Sequence, residues 1–384
     1  MKNAIYKFFN QLDVIEYGTL TLTTPDGKSH EFHGAQPGPV ADMEIHRWQV
    51  ISHMLSKGDI GLADDYRSGL WDTSDLIALT TLALQNRQAT EQCISGNPLS
   101  RLLSALSYLF RINTVKGSKK NIHAHYDLGN AFYELWLDPS MTYSSAIYNS
   151  PDDTLKQAQN NKYDRILNLF AADVGDVLEV GCGWGGFAER ALENSQLNLK
   201  GITLSEEQHR FANKRLNGHA DIALEDYRHQ TGKYDFIVSI EMFEAVGERY
   251  WSTYFSKIAS LLNNKGKAVV QTITMNENDF ASYRRGGDFI RSFIFPGGML
   301  PSPSRFQQLA ANAGLKTATP HFFGHDYAST LKVWLDNFDK QKQEVISLGF
   351  DEPFIRLWRF YLAACISGFL TKRTDVMQIE LSHV

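Results

Sequence analysis

Val177-Leu-Glu-Val-Gly-Cys-Gly-Trp-Gly-Gly186 runs a short apolar strand into a glycine turn, with the helix-like stretch Phe187–Glu193 beyond it. Glycines at 181, 183, 185 and 186 let the backbone turn tightly and come within contact distance of a ligand, where a Cβ would collide. A strand–glycine–helix unit of this kind cradles a nucleotide-like cofactor, and Glu179 stands near the end of its strand. A dinucleotide-binding fold places Asp or Glu at the next strand tip, about 20 residues on, for the ribose hydroxyls. Here that strand, Leu197–Leu204, ends in Gly201-Ile-Thr-Leu-Ser205 with no carboxylate at its tip. Glu179-x-Gly181-x-Gly183-x-Gly185 with a non-acidic second tip therefore points to S-adenosylmethionine rather than NAD. Trp184 inside the turn suits that choice, since an aromatic face attracts a sulfonium cation.

Outward from the turn, strand and helix patterns alternate. Asp176–Val180, Leu197–Leu204, Asp221–Glu225, Phe236–Ile240 and Lys267–Thr274 read as strands, and Glu206–Leu216 and Tyr250–Leu262 as helices. Such alternation implies an α/β fold with a doubly wound, mostly parallel sheet. Ligands of these sheets lie outside the carboxyl ends of the strands, where the motifs fall. An insert from Asn276 to Ser304 is expected to cover the acceptor channel.

The amino-terminal part reads differently. Gly18-Thr-Leu-Thr-Leu-Thr-Thr24 alternates as a strand and stops at the turn Pro25-Asp-Gly27. Ser74–Asn86 is helix-like, with Thr73 or Ser74 as its cap. The expected division is a small α+β domain over 1–95, a linker over 96–121 and the catalytic domain over 122–384. The segment Ser95–Asn121 sets Arg101, Arg111, Lys116, Lys119 and Lys120 among Leu102, Leu103, Leu106, Tyr108, Leu109 and Phe110. That pattern suits an interfacial membrane helix and equally a helix packed between domains.

With 384 residues the chain can bury two cores. A net charge of −5 argues against a general nucleic-acid binder. Cys93, Cys182 and Cys365 lie far apart, with neither metal-ligand spacing nor an even disulfide set, which suits a reducing compartment. No histidine has metal-ligand spacing, and no metal is expected. The start, Met1-Lys-Asn-Ala-Ile-Tyr-Lys-Phe-Phe9, lacks the features of a signal peptide, and no apolar run is long enough to span a bilayer. A cytoplasmic protein with only peripheral lipid contact is the expectation.

The glycine turn keeps specific company. His125-Tyr-Asp-Leu-Gly-Asn130, Met141-Thr-Tyr-Ser-Ser145, Gly201-Ile-Thr-Leu-Ser-Glu-Glu-Gln208, Asp226-Tyr-Arg228, Ser239-Ile-Glu-Met-Phe-Glu-Ala-Val-Gly247 and Phe293-Ile-Phe-Pro-Gly-Gly-Met-Leu-Pro301 follow in order. In this order the segments closely resemble the cyclopropane-fatty-acyl-phospholipid synthase family over nearly the whole chain, and coclaurine-type N-methyltransferases more distantly. The resemblance implies a class I methyltransferase-type fold preceded by the small domain of the bacterial lipid enzymes. It also implies methylation of the double bond of unsaturated acyl chains in phospholipids, peripheral contact with the inner membrane face, and a homodimer.

The same resemblance implies site residues. Tyr143 and Ser144 would meet the methionine end of S-adenosylmethionine, Thr203, Leu204 and Gln208 the ribose region, and Asp226 with Tyr227 the adenine. Gln208 donates and accepts at once, so it can replace the missing strand-tip carboxylate. In that family the base is a bicarbonate ion, a second candidate cofactor here. Its implied holders are Ser145, Glu244, Gln271, Ile273 through its carbonyl, and Tyr327. Two positions depart from the family: Ser145 stands for the usual Cys, and Gln271 for the usual His. A glutamine cannot titrate as histidine does, so the proton traffic changes. Ala245 replaces a His that serves as a base in the N-methyltransferase relatives, which counts against amine methylation.

Glu244 follows a buried strand, where an unpaired carboxylate is expensive, and is read as an active-site residue. Glu241 is read as a helix-start residue. Cys365, in Tyr361-Leu-Ala-Ala-Cys-Ile-Ser-Gly-Phe369, matches a family cysteine and is carried as a catalytic candidate, although its buried-helix setting reads as packing. Two alternatives stand beside ring formation: methylation that leaves a methyl-branched or methylidene chain, and a non-catalytic lipid-binding module.

Overall fold

The computed structural model describes residues 2–87, 89, 128–193 and 195–384. The basic stretch Ser95–Asn121, with Cys93 and His125, lies outside the described residues. The chain forms two compact units that interleave along the sequence. One joins the described amino-terminal residues to Ala281–Pro296 and Trp334–Arg373; the other joins those from 128 to Phe280 with Gly297–Val333 and Thr374–Val384.

In the first unit, helix α1 (Lys2–Leu12) precedes β1 (Tyr17–Thr23), β2 (Ser29–His33) and β3 (Gln36–Ile45). Helices α2 (Gln49–Lys57) and α3 (Asp59–Arg67), strand β4 (Trp71–Asp72) and helix α4 (Leu76–Gln85) complete the segment. The sheet order is β2-β1-β3-β4. Alternation along β1 turns Leu20 and Leu22 inward, as a half-buried strand requires. The cap of α4 is Asp75, which accepts from the amides of Ile77 and Ala78. This corrects the expectation of Thr73 or Ser74: a carboxylate two and three residues ahead of the free amides has the better reach and charge. Asn86 closes the other end by donating to Tyr17 O and accepting from the amides of Glu16 and Tyr17. A long buried helix, Glu352–Leu370, packs here as well, with Ser367 Oγ hydrogen-bonded to Thr80 and Thr81 at 2.6 and 2.9 Å.

The second unit begins with a short helix, Asn130–Glu134, and then α5 (Leu155–Phe170), opened by a capping box between Thr154 and Gln157. β5 (Val174–Val180), α6 (Gly186–Glu193), β6 (Gln196–Thr203), α7 (Glu206–Leu216), β7 (Asp221–Leu224) and β8 (Tyr234–Ile240) follow. After α8 (Trp251–Leu261) come β9 (Leu262–Met275), β10 (Leu315–Thr317), β11 (His321–Phe322) and β12 (Thr374–His383). The sheet order is β10-β12-β9-β8-β5-β6-β7, with β11 paired to β12. β7, β6, β5, β8 and β9 run parallel, while β12 is antiparallel to β9 and β10. The parallel, doubly wound α/β reading therefore holds. Val177, Leu178, Ile237, Val238, Val269 and Val270 are fully buried, as strands covered on both faces must be. Phe170 stacks on Phe236 with ring centroids 4.2 Å apart, fixing α5 against the sheet.

Among the described residues, no helix is long and apolar enough to cross a membrane.

Candidate active site

From β5 the chain winds outward through β6 to β7, then returns to lay β8 on the other side of β5. The ends of β5 and β8 thus mark the point where the winding reverses, and a crevice opens there. Both functional turns leave from it. Gly181 and Cys182 donate their amides to Ile202 O at 2.9 and 3.0 Å, which holds the glycine turn against β6. Gly181, Gly183 and Gly185 have φ of 83°, 53° and 84°, a region that side chains penalise. Their roles differ. A Cβ on Gly181 would strike Met242, and one on Gly185 would press on Ala212, but one on Gly183 would meet no atom of the described residues within 4 Å. Gly183 faces open pocket, which is where a ligand belongs.

Tyr143, Ser144, Glu179, Gly181, Gly183, Thr203, Leu204, Gln208 and Tyr227 all line that pocket, together with Trp184 and Glu241. Gln208 is fixed by Thr203 Oγ1, which donates to its Oε1 at 2.8 Å, and by the Ser205 cap at its amide. Trp184 Nε1 donates to Asn130 Oδ1 at 2.7 Å and its ring lies 5.0 Å from that of Tyr133. Glu179 is buried, and its Oε2 has no hydrogen-bond partner among the described residues. Burial pushes its carboxyl up to about 8, against the pull of the Lys162 ammonium. A donor-rich cationic ligand would satisfy that oxygen. These residues fit S-adenosylmethionine: Glu179 for its ammonium, Gly183 for close backbone approach, Gln208 for its ribose, Tyr227 for its base. The group supplies an electrophilic methyl. Asp226 behaves otherwise, since its carboxylate is taken by Arg228 at 2.9 and 2.6 Å and held below the usual range by that pairing; Glu225 and Tyr227 flank the pocket instead.

Glu241 follows β8 directly, in the left-handed region at φ 51°, and donates its amide to Gln271 O. It does not start a helix. Its Oε1 accepts from the Ser145 amide and from Gln271 Nε2, each at 2.8 Å, and its Oε2 accepts from the Tyr327 hydroxyl at 2.6 Å. Gln271 is aimed by Gln378 Nε2, which donates to its Oε1 at 2.9 Å across β9 and β12. Loss of water around Glu241 raises its pKa, while its donors and Lys162 oppose the rise. Glu244, in the short turn Phe243–Ala245, accepts from Thr272 Oγ1 at 2.9 Å and the Ile273 amide at 2.5 Å. Burial, then the neighbouring Glu241 charge, push it up to about 8. Phe243 anchors the turn by stacking on Trp251 and meeting Phe306 edge-on.

The expected anion holders therefore converge, but on a different centre. Ser145, Gln271 and Tyr327 surround Glu241, not Glu244. Ser145 uses its amide while its hydroxyl donates to Ala146 O, and Ile273 offers Glu244 its amide rather than its carbonyl. The donors implied for bicarbonate are already engaged by Glu241, so that ion does not fit. Cys365 lies in the first unit on Glu352–Leu370, its thiol raised well above the ordinary range by burial.

Lys162 was not singled out from sequence. It sits fully buried on α5, and its Nζ donates to Ser144 Oγ at 2.7 Å. Burial lowers its pKa to about 7 against the pull of Glu241, Asp138 and Glu179. The signal was present: 158, 162, 166 and 170 form the apolar stripe of that helix, and a lysine in such a stripe demands a partner.

Comparison with known proteins agrees with this geometry. Residues 114–379 match the family described as mycolic acid cyclopropane synthetase. The tuberculostearic acid methyltransferase UfaA1 of Mycobacterium tuberculosis is 34% identical, over 94% of this chain and 87% of its own. The cyclopropane-fatty-acyl-phospholipid synthase of Escherichia coli K12 is 31% identical, over 89% and 88%. Among solved structures, the mycolic acid cyclopropane synthase CmaA1 with SAH and CTAB superposes with a TM-score of 0.64 at 32% identity, over 68% of this chain and 97% of that one. Coclaurine N-methyltransferase, at 15% identity and a TM-score of 0.65, shares the fold. The chain belongs to the mycolic acid cyclopropane synthetase family and is an S-adenosylmethionine-dependent methyltransferase.

Proposed function

We propose that this enzyme methylates the double bond of an unsaturated acyl chain carried on a phospholipid. The observation that carries the reading is the placement of Glu241 on the wall of the pocket that holds Tyr143 and Ser144. An alkene is a weak nucleophile, and accepting a methyl leaves positive charge on the chain. A carboxylate at that spot stabilises the charge and can end the reaction by removing a proton. Relatives that match over most of their length support the acceptor: one is named for a fatty-acyl phospholipid, another for tuberculostearic acid. The phospholipid acceptor implies a protein that works peripherally at the inner, cytoplasmic face of a membrane.

Ring closure and an open methylated chain are alternative fates of one cation. The open product is the second reading, favoured by Gln271 where the cyclopropane relatives usually carry a histidine and by the similarity to UfaA1. Incubation with methyl-labelled S-adenosylmethionine and vesicles of a monounsaturated phospholipid tests the function. Label is expected in the acyl chain, and none with saturated vesicles. Absence of label from both, with cofactor binding intact, would sink the proposal. Both products gain one methylene and weigh the same, so proton NMR decides: upfield ring protons for the cyclopropane, vinylic methyl or methylidene signals for the open chain.

A further inference from the structure

We propose that Glu241 is a built-in base, taking the proton that ends the reaction in the place where the resemblance puts a bicarbonate ion. The inference rests on the lipid methylation reading above. Three independent features converge on it.

The first is occupancy. Ser145 N–H, Gln271 Nε2 and the Tyr327 hydroxyl come from three distant segments, and all donate to the Glu241 carboxylate at 2.6–2.8 Å. A bicarbonate on those donors would have to displace the carboxylate and then lie beside it. Two like charges in a water-poor pocket repel strongly. The protein has made the anion part of its own chain.

The second is backbone conformation. Glu241 has φ 51°, where a non-glycine residue costs on the order of 1 kcal/mol. Glycine would make this turn without strain. A glutamate held there by hydrogen bonds through both oxygens is retained for its carboxylate.

The third is access and charge. A carboxylate offers about four lone-pair sites. Among the described residues, Oε1 takes two donors and Oε2 one, which leaves a site on Oε2, and the residue lines the same pocket as Tyr143 and Ser144. Lys162 balances the charge from behind Ser144.

The step balances simply. A C–H bond next to the cationic carbon, or on the new methyl, breaks, and its electron pair forms the double bond or closes the ring. The proton goes to Oε2, and the neutral acid returns it to solvent after product leaves.

The test uses the full-length protein, carbon-dioxide-free buffer, methyl-labelled S-adenosylmethionine and monounsaturated phosphatidylglycerol vesicles. Wild-type turnover is expected to be indifferent to millimolar bicarbonate. Glu241→Gln should lose on the order of a hundredfold in kcat, with cofactor affinity kept. Glu241→Gly, which suits the backbone at this position, should recover turnover when bicarbonate is added. Carbon-13 NMR of labelled bicarbonate gives a readout free of catalysis: no binding to wild type, and binding to Glu241→Gly. Bicarbonate-dependent wild-type turnover, bicarbonate bound to wild type, or a Glu241→Gln enzyme within about twofold of normal would each overturn the assignment. If wild type methylates no lipid under either condition, the function reading fails, and the NMR experiment still decides whether Glu241 fills the anion's place.

Discussion

The ammonium of Lys162, with no solvent contact, donates to Ser144 Oγ at 2.7 Å and faces the carboxylates of Glu179 and Glu241. It is the buried positive charge behind the pocket's acidic wall. Its presence lowers the pKa of Glu241. Lys162→Met should therefore raise that pKa and move the acid limb of the kcat–pH profile upward by about half a unit or more. An unmoved profile with reduced kcat would mean that Lys162 only packs.

Gly183→Val should abolish cofactor binding with modest loss of stability. The added Cβ meets no atom of the described residues within 4 Å, so its branches enter ligand space, and the main conformational cost is that of φ 53°. Calorimetric titration with S-adenosylhomocysteine checks it. Retained affinity would remove the glycine turn from the cofactor site.

Glu244→Gln should gain stability relative to wild type as pH rises from 5 to about 8. The Glu244 carboxyl is raised to about 8 in the fold, against an ordinary value of 4.5. A raised pKa means that the folded state holds its proton more tightly, so wild-type stability is full below the unfolded pKa and drains away up to the folded one. Glutamine does not titrate. Urea unfolding at pH 5 and pH 8 should show the difference between the two proteins growing by at least about 2 kcal/mol. A pH-independent difference would show that Glu244 ionises normally.

Ser145→Cys should leave turnover and product ratio nearly unchanged, because Ser145 holds Glu241 with its amide and turns its hydroxyl to Ala146 O. Gln271→His should change the product ratio, since the Gln271 side chain touches the Glu241 carboxylate directly. Proton NMR of the lipids reads both. A ratio that follows Ser145→Cys and ignores Gln271→His would reverse the assignment.

Neutralising Arg111, Lys116, Lys119 and Lys120 together should weaken binding to anionic vesicles and lower activity on them, each charge contributing roughly 1 kcal/mol at low salt. Vesicle sedimentation measures it, and an unchanged pellet would eliminate this segment as the docking element.

The cofactor half of the site was legible because its signals are local. Glycines 181, 183 and 185 announce a turn within five residues, and α7 was delimited correctly as Glu206–Leu216. The acceptor half was not. Glu241 meets Gln271 thirty residues away and Tyr327 eighty-six away, and nothing in Ser239-Ile-Glu-Met-Phe-Glu tells which glutamate turns toward the pocket. The backbone at Glu241 decides it, by flipping into the left-handed region where β8 ends. Asp226 shows the opposite case: Arg228 is so close in sequence that it engages the carboxylate locally.

β12 is synthesised after both β9 and β10, yet it is inserted between them, and its Gln378 aims Gln271. Translation delivers the amino end first, so every cofactor motif leaves the ribosome before the residue that orients the acceptor side. A nascent chain that has not yet made β12 carries the methyl-donor pocket but an unaligned Gln271 and an open edge on β9. Activity is thereby tied to the synthesis and insertion of β12. A chain cut just before Thr374 should still take up S-adenosylmethionine and transfer no methyl to an acceptor.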